Sequence, residues 1–260
     1  MSFVVNLPDL KVKQIKTPCL AHYAYIIHAD KDVAFVDPLR DIKAYLDYLQ
    51  EHHHAKTKYI FETHYHADFV SGFYDLHQHT HGQIVFGPDS KPTFQCKVAH
   101  HNEKLHLGNY FIRVLHTPGH TLESSCFVLE DASEKAICVF TGDTLFLGEV
   151  GRPDLAQASS ITDKDLARML FHSLKHLKKL PEACIVLPAH GAGSACGKNI
   201  SPGDSCTIGK QLTSNKSFME EDEKTFVEMA TGHIPPPPAY FGLDVHLNKT
   251  GKVSPRFNIR

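Results

Sequence analysis

The sequence lacks the features that mark secreted, membrane-spanning or nucleic-acid-binding proteins. No apolar stretch approaches the ~18 residues that are needed to cross a bilayer, and the first residues lack the cationic start, apolar core and cleavage site of a leader peptide. The formal net charge is −2, and no block of lysine and arginine is present. We therefore expect a soluble cytoplasmic protein whose partner is a small molecule, with neither nucleic acid nor membrane involved.

The chain also lacks the cysteine patterns of a disulfide framework or a structural zinc site. Its seven cysteines are an odd number at irregular spacing, and no pair is spaced Cys-x₂-Cys. Internal repeats and coiled-coil heptads are absent as well. Reduced thiols are expected, several of them as small core residues.

The 260 residues, 42% of them hydrophobic, are enough for one large domain. We expect residues 1–260 to form a single domain, with a loop-rich C-terminal extension over about 192–260. Residues 192–217 are rich in Gly, Ser, Asn and Thr and predict a long loop with little regular structure.

Apolar strands and amphipathic helices alternate along the chain, which is typical of an α/β protein. Apolar residues at helical spacing predict a helix from Ile42 to about Glu51. A second helix, with its apolar face between Leu166 and Leu177, is predicted to follow Thr162 as N-cap, with Asp165 three residues on.

Histidine is unusually frequent, with twenty residues, and most of them suit solvated surfaces or helix ends. Four apolar strands, however, each run into a histidine or aspartate beside a small or turn residue. These residues are His64, His120, Asp143 and His190. Strand ends place polar side chains at one edge of a sheet, so this pattern predicts a metal or catalytic site there.

The set of candidate ligands resembles that of the metallo-β-lactamase superfamily in order and spacing, over nearly the whole chain. The set comprises His64, His66, Asp68, His120, Asp143 and His190. The resemblance implies an α/β fold of the four-layer αβ/βα sandwich type, with the metal at one rim of the two sheets and a C-terminal loop and helix extension.

Position 69 departs from the superfamily pattern. Where the motif His-x-His-x-Asp-His usually builds two zinc sites, this chain has Phe69, which offers no lone pair. We therefore expect a mononuclear site. One metal held by two imidazoles and one carboxylate is the arrangement of non-haem Fe(II) oxygenases, although a catalytic zinc site also keeps three protein ligands.

Four finer segments resemble the persulfide dioxygenase branch of the superfamily, namely residues 67–72, 141–146, 151–155 and 188–194. The resemblance implies one Fe(II) per chain, bound by His64, His120 and Asp143. It implies oxidation of a low-molecular-weight thiol persulfide, with glutathione as the preferred thiol, by O₂ and water to sulfite and free thiol. His66, Asp68 and His190 then orient ligands or hydrogen-bond a bound water or oxygen species.

Four further residues are candidates for binding the substrate, each with a plainer interpretation beside it. Arg152 suits a substrate carboxylate or a structural pair with Asp154. Cys196, in the predicted loop, suits an exposed thiol that relays sulfur, or an ordinary loop cysteine. Lys210 and Tyr240 suit the peptide or nucleotide part of the thiol, or else a surface lysine and a packed tyrosine.

Two other functions stay open at this point. One is a zinc-dependent thioesterase of the hydroxyacylglutathione hydrolase kind, and the other is a non-catalytic binding partner of a sulfurtransferase. Relatives that share the Pro-Pro-Pro-Pro-Ala-Tyr-Phe segment often continue into a rhodanese domain, for which residues 1–260 leave no room. A stand-alone enzyme, a piece of a rhodanese fusion and a homo-oligomer are all compatible with the sequence.

Overall fold

The computed structural model describes residues 2–156 and 161–251 and contains, in those ranges, fifteen strands and seven helices. The strands are β1 (Ser2–Asn6), β2 (Leu10–Thr17), β3 (His22–Ala29), β4 (Asp32–Val36), β5 (Lys56–Glu62), β6 (Gln83–Phe86), β7 (Lys97–Val98), β8 (Lys104–Leu107), β9 (Tyr110–His116), β10 (Ser125–Glu130), β11 (Ala136–Gly142), β12 (Leu145–Phe146), β13 (Glu149–Val150), β14 (Ile185–Pro188) and β15 (Cys206–Thr207). The helices are α1 (Lys43–Glu51), α2 (Phe73–Thr80), α3 (Asp163–Leu177), α4 (Ile208–Ser214), α5 (Lys216–Met219), α6 (Glu223–Thr231) and α7 (Phe241–Thr250). None of these described helices combines the length and the apolar character that a membrane crossing requires.

Two large sheets pack face to face between two layers of helices. The first sheet has the strand order β1-β2-β3-β4-β5-β6-β7, and the second has the order β15-β14-β11-β10-β9-β8. One core lies between the sheets, a second lies under α1 and α2 on the first sheet, and a third lies under α3 and α6 on the second. This arrangement confirms the predicted αβ/βα sandwich.

Strand β3 shows how the sequence creates two of these cores at once. All eight of its residues are buried. Tyr25, Ile27 and Ala29 face the core between the sheets, while Ala24 and Ile26 face the helical layer. Because successive side chains of a strand point to opposite faces, a continuous apolar run specifies a strand that is covered on both sides.

Helix α3 begins where the capping pattern predicts. The backbone N–H of Asp165 donates to Thr162 Oγ1 at 3.2 Å, and the backbone N–H of Thr162 donates to Asp165 Oδ2 at 3.0 Å. These two bonds satisfy N–H groups that the first turn of a helix otherwise leaves unpaired. The face that includes Leu166, Leu170 and Leu174 is buried against the second sheet.

The predicted long loop over 192–217 is wrong for residues 206–214 and 216–217, which lie in β15, α4 and α5. Residues 206–214 form β15 and α4, because the Thr207 hydroxyl caps α4 by accepting the N–H of Lys210, and because Ile208 is buried in the core under α3. The C-terminal part of the chain also contains α7, which apolar periodicity did not predict. Residues 252–260 of the predicted extension lie outside the described residues.

The strands that carry the candidate ligands meet at one rim of the sandwich. The N–H of Ser125 donates to the carbonyl of Thr63 at 2.9 Å, which joins the end of β5 to the start of β10. The N–H of Ala189 donates to the carbonyl of Gly142 at 3.0 Å, which joins the ends of β14 and β11. These bonds hold the loops that follow the strands in one place, although the strands belong to two sheets.

The turn before His120 provides a test of this arrangement. Gly119 has a φ of +143°, and a Cβ there would lie 2.4 Å from the backbone nitrogen of Leu170 in α3. We predict that Gly119→Ala lowers the free energy of unfolding by about 2 kcal/mol or more, because both the backbone and the packing oppose the methyl group. Urea unfolding followed by circular dichroism measures the loss.

The matched control is Gly242→Ala in α7, where a Cβ meets no atom within 4 Å. Its stability should stay within about 0.5 kcal/mol of the parent chain. Equal unfolding midpoints for the two variants would contradict the tight contact between Gly119 and α3.

Candidate metal centre

Three side chains from three strand ends converge at the rim. His64 follows β5, His120 follows β9 and its Pro118-Gly119 turn, and Asp143 follows β11. Asp143 Oδ2 lies 3.4 Å from His120 Nε2 and 3.7 Å from His64 Nε2. The three donor atoms lie within 4.8 Å of one another, and all three residues are buried. This spacing suits a metal ion bound by two imidazoles and one carboxylate.

The orientation of His64 is set by a carboxylate on the neighbouring strand end. Asp37, which follows β4, accepts the N–H of Thr63 at 2.8 Å and the Thr63 hydroxyl proton at 2.9 Å. Because that hydroxyl proton is used, Thr63 Oγ1 accepts a hydrogen bond from His64 Nδ1 at 3.0 Å. The proton therefore sits on Nδ1, and the lone pair of Nε2 faces the centre.

His120 is oriented in the same sense by a backbone group. Its Nδ1 donates to the carbonyl oxygen of Arg152 at 2.9 Å, and a carbonyl can only accept. Nε2 of His120 consequently carries the lone pair. Outer hydrogen bonds of this kind fix the tautomer and the ring plane of a metal-binding histidine.

The protonation states suit a metal site. Burial lowers the pKa of His64 well below its ordinary value, and burial also lowers the pKa of His120, so both imidazoles are neutral near pH 7. Burial by itself raises the pKa of Asp143, but the interactions with His190, His64 and His120 outweigh it and hold that pKa well below the usual range. The site thus presents two neutral nitrogens and one carboxylate.

Two of the donor atoms have no protein partner. His64 Nε2 and Asp143 Oδ2 are buried and make no hydrogen bond to the described residues. A buried, unpaired carboxylate oxygen is costly. A bound cation removes that cost, so the donor set of this chain fits a metal ion.

His190 connects Asp143 to a second aspartate. Its Nδ1 lies 2.7 Å from Asp143 Oδ1, and its Nε2 lies 2.9 Å from Asp68 Oδ2. Burial alone lowers the pKa of His190, but the charges of Asp143 and Asp68 reverse the effect and raise it well above the ordinary value. Both nitrogens of His190 are thus within hydrogen-bonding distance of a carboxylate oxygen.

Phe69 and His66 are turned away from the three donor atoms. The Phe69 ring is buried and packs against His66 at 4.5 Å and His22 at 4.4 Å between ring centroids. His66 Nε2 lies 3.2 Å from Asp37 Oδ1 and 4.0 Å from Glu62 Oε2. Of the motif residues His64, His66, Asp68 and Phe69, only His64 belongs to the group with His120 and Asp143 in the described part of the chain.

A cavity of about 260 Å³ opens beside His120. Tyr65 and Ala67 line it from the loop after β5, Leu155 lines it from the segment after β13, and Val245 lines it from α7. The exposed residues Lys91 and Lys249 also belong to its wall. The cavity thus combines apolar residues with two lysines and with two acidic residues, Asp89 and Glu123.

Arg152 makes a structural pair in place of the proposed contact with substrate. Its guanidinium binds both carboxylate oxygens of Asp154 at 2.7 Å and also donates to the carbonyls of Ala195 and Pro235. The side chain is 4% exposed. Its nitrogens are committed to protein groups, so the plainer interpretation of Arg152 fits the structure.

Cys196 is buried, and the expectation of an exposed thiol is wrong. It is 1% exposed, and its sulfur lies within 4.8 Å of donor atoms of Asp68 and His190. Burial, together with the charges of Asp143 and Asp68, raises the pKa of the thiol well above its usual value. A neutral thiol is a poor nucleophile, which disfavours the relay of sulfur by Cys196.

The two remaining substrate candidates, Lys210 and Tyr240, do not line the cavity beside His120. Lys210 is an exposed residue of α4 and does not line the cavity beside His120. Tyr240, which precedes α7, is 49% exposed. Burial and the charges of Asp68 and Asp244 raise the pKa of Tyr240.

Four residues of the site were not singled out from the sequence. Asp37, Glu62, His22 and Asn248 all contact the loop after β5 or its neighbours. Asp37 carries the same signal as Asp143, an aspartate directly after an apolar strand. The other three have no local signal, since a buried histidine, glutamate or asparagine does not alter hydrophobic periodicity.

The comparisons with known proteins agree with this geometry. Residues 97–190 match the model of the metallo-β-lactamase superfamily. The hydroxyacylglutathione hydrolase of Shewanella loihica is 34% identical over 178 residues, which are 65% of this chain and 61% of that protein. The chain thus spans about three fifths of the length of such curated relatives.

Two solved structures match most of the chain. ETHE1 from Myxococcus xanthus is 21% identical with a TM-score of 0.75, covering 92% of this chain and 98% of that one, and it shows the shared fold. A metallo-β-lactamase from Staphylococcus aureus subsp. aureus COL is 30% identical with a TM-score of 0.85, covering 94% of this chain and 73% of that one. On the strength of its fold, its strand-end ligands and this last similarity, the chain belongs to the metallo-β-lactamase superfamily.

Proposed function

We propose that this chain is a persulfide dioxygenase with one Fe(II) bound by His64, His120 and Asp143. The observation that carries the proposal is the set of three convergent donor atoms. The side chain of each makes a hydrogen bond, through its other polar atom, that fixes its orientation. In the described residues no fourth protein donor belongs to this group. Two imidazoles and one carboxylate with open positions are typical of non-haem Fe(II) oxygenases. When bound, the iron would supply the redox chemistry with O₂.

The second metal site of the superfamily is replaced by protein contacts. Its ligands would be Asp68, Asp143, His190 and a nitrogen at position 69. Here position 69 is Phe69, and both nitrogens of His190 are engaged by the two aspartates. The contacts of His190 with both aspartates and the absence of a nitrogen at position 69 support a mononuclear centre.

The proposed reaction joins R–S–SH, O₂ and H₂O to give R–SH, HSO₃⁻ and H⁺. The outer sulfur is oxidised, O₂ is reduced, and water supplies the third oxygen of the sulfite. The cavity beside His120 would take the thiol part, because its apolar wall excludes water from the reacting sulfur. Lys91 and Lys249 at the cavity suit the carboxylates of a glutathione-like thiol.

The second candidate function is hydrolysis of a glutathione thioester at a zinc centre. The names of the curated relatives favour this reaction more directly than they favour the first, since those at 31–34% identity include several hydroxyacylglutathione hydrolases. Against it stand Phe69 at the position of a metal-binding histidine and the orientation of His66 toward Asp37. Both candidates use glutathione chemistry, so the metal and the reaction must be measured.

The first test removes one ligand. We predict that the iron affinity of His120→Ala, purified without oxygen, falls by more than ~100-fold, because loss of an outer hydrogen-bond partner already costs ~10–100-fold. The variant should also lose O₂ uptake and sulfite formation with glutathione persulfide. Iron is measured by metal analysis and O₂ by an electrode. The control is His79→Ala, an exposed residue of α2, which should behave as the parent chain. Full iron retention by the His120 variant would overturn the assigned ligand.

The second test separates the two functions by stoichiometry. We predict that the parent chain binds one metal equivalent, iron or zinc, and that Phe69→His adds a second, weaker zinc equivalent because it returns a nitrogen beside Asp68. Phe69→Leu keeps the apolar contact and should still bind one equivalent. Two tightly bound zinc ions in the parent chain, with rapid turnover of a glutathione thioester, would establish the hydrolase instead.

A further inference from the structure

Asn248 on the C-terminal helix α7 makes three hydrogen bonds to the loop after β5. Its Nδ2 donates to the carbonyl of His66 at 2.8 Å and to the carbonyl of Phe69 at 2.9 Å. Its Oδ1 accepts the N–H of Ser71 at 2.9 Å. Because carbonyls only accept and the N–H only donates, the orientation of the amide is unambiguous.

These bonds reach a stretch of backbone that has no regular structure of its own. The loop carries Asp68 between the two carbonyls that Asn248 holds, and Asn248 itself is 1% exposed. Buried backbone groups outside helices and sheets need side-chain partners. A single asparagine from the far end of the chain satisfies three of them.

Helix α7 depends on the same residue. Of its ten residues, Phe241 and Asn248 are buried, and Leu243 is 59% exposed. Val245 packs partly buried against the core under α1 and α2, and the carbonyl of Lys249 accepts the N–H of Thr93 at 3.2 Å. The three hydrogen bonds of Asn248 join the helix to the loop after β5. The same three hydrogen bonds therefore attach α7 to the protein and fix the conformation of the loop.

The loop in turn determines the position of the metal-binding carboxylate. Asp68 Oδ2 lies 2.9 Å from His190 Nε2, and His190 Nδ1 lies 2.7 Å from Asp143 Oδ1. The other carboxylate oxygen of Asp143, Oδ2, then faces His64 and His120. We propose that Asn248 is a positioning residue of the metal centre, acting through Asp68 and His190 on Asp143, so that metal binding and docking of α7 stabilise each other. This inference depends on the metal centre of the proposed function and holds for either of its two reactions.

The reciprocal effect follows from linkage. If a docked α7 favours the geometry that binds metal, then bound metal must favour the docked helix by the same factor. The amides of α7 should therefore exchange with solvent more slowly when the centre is loaded, although no residue of α7 belongs to the three-donor group.

The test is a titration with Co²⁺, whose visible absorption reports the geometry of its ligands. We expect Asn248→Ala to weaken Co²⁺ binding by about 10-fold and to alter the absorption bands. This is the lower end of the ~10–100-fold effect of direct hydrogen-bond partners of a ligand, because Asn248 acts through Asp68 and His190. Asn248→Asp keeps the shape and the acceptor but loses both donors, so it should weaken binding as well. Hydrogen exchange should show that Co²⁺ protects α7 in the parent chain and not in Asn248→Ala.

The matched control is Asn215→Ala. Asn215 is also fully buried and makes three hydrogen bonds, to Phe218, Gln211 and Glu149, none of which is in the loop after β5. This variant should lower the melting temperature to a similar degree and leave Co²⁺ affinity within about twofold of the parent.

Two results would overturn the inference. One is unchanged Co²⁺ affinity in Asn248→Ala, and the other is an equal loss of affinity in the Asn215 control, which would reduce the effect to general instability. Since the readouts are cobalt affinity and amide exchange, a parent chain that binds Co²⁺ but shows no dioxygenase activity would count against the proposed reaction and not against Asn248.

Discussion

The hydrogen-bonded bridge from Asp68 through His190 to Asp143 is the interaction on which the centre depends. Burial alone lowers the pKa of His190, but the carboxylates beside its two nitrogens reverse that effect and raise it. The bridge uses one oxygen of Asp143 and directs the other toward His64 and His120. It also occupies the ligands with which the superfamily builds a second metal site. The geometry of the three donor atoms is therefore a consequence of these contacts.

The bridge is held in place by parts of the chain that are far apart in sequence. Asp68 lies in the loop after β5, His190 follows β14 in the other sheet, and Asn248 on α7 fixes the backbone around Asp68. Hydrogen bonds between strand ends join the two sheets at this rim. The two sheets, and the helix that closes over them, are thus coupled through the buried polar groups of the site. A displacement of one of these residues would therefore move the carboxylate of Asp143 that faces the metal.

The choice between the two reactions depends on a few side chains and not on the fold. The fold and most of the ligand residues are shared across the superfamily, and curated relatives named as hydroxyacylglutathione hydrolases match 65% of the chain. In the proposed function the deciding residue is Phe69, whose ring packs on His22 and His66 and offers no nitrogen to a metal. The three donor atoms of His64, His120 and Asp143 with open positions around them are compatible with an iron oxygenase and with a catalytic zinc site. Function in such a family is decided at the site.

The sequence by itself determined the features that depend on local patterns. Apolar runs predicted most of the longer strands, and the Thr162 capping box predicted the start of α3. Position at strand ends pointed to His64, His120, Asp143 and His190, and the family resemblance implied the first three as ligands. Tertiary structure alone decided the burial of Cys196, the structural pairing of Arg152 and the role of Asn248, as well as the helix where a loop was expected at 208–214. The physical reason is separation along the chain. Asn248 reaches the carbonyl of His66 across 182 positions, and such a contact between polar groups leaves no periodic trace in the sequence.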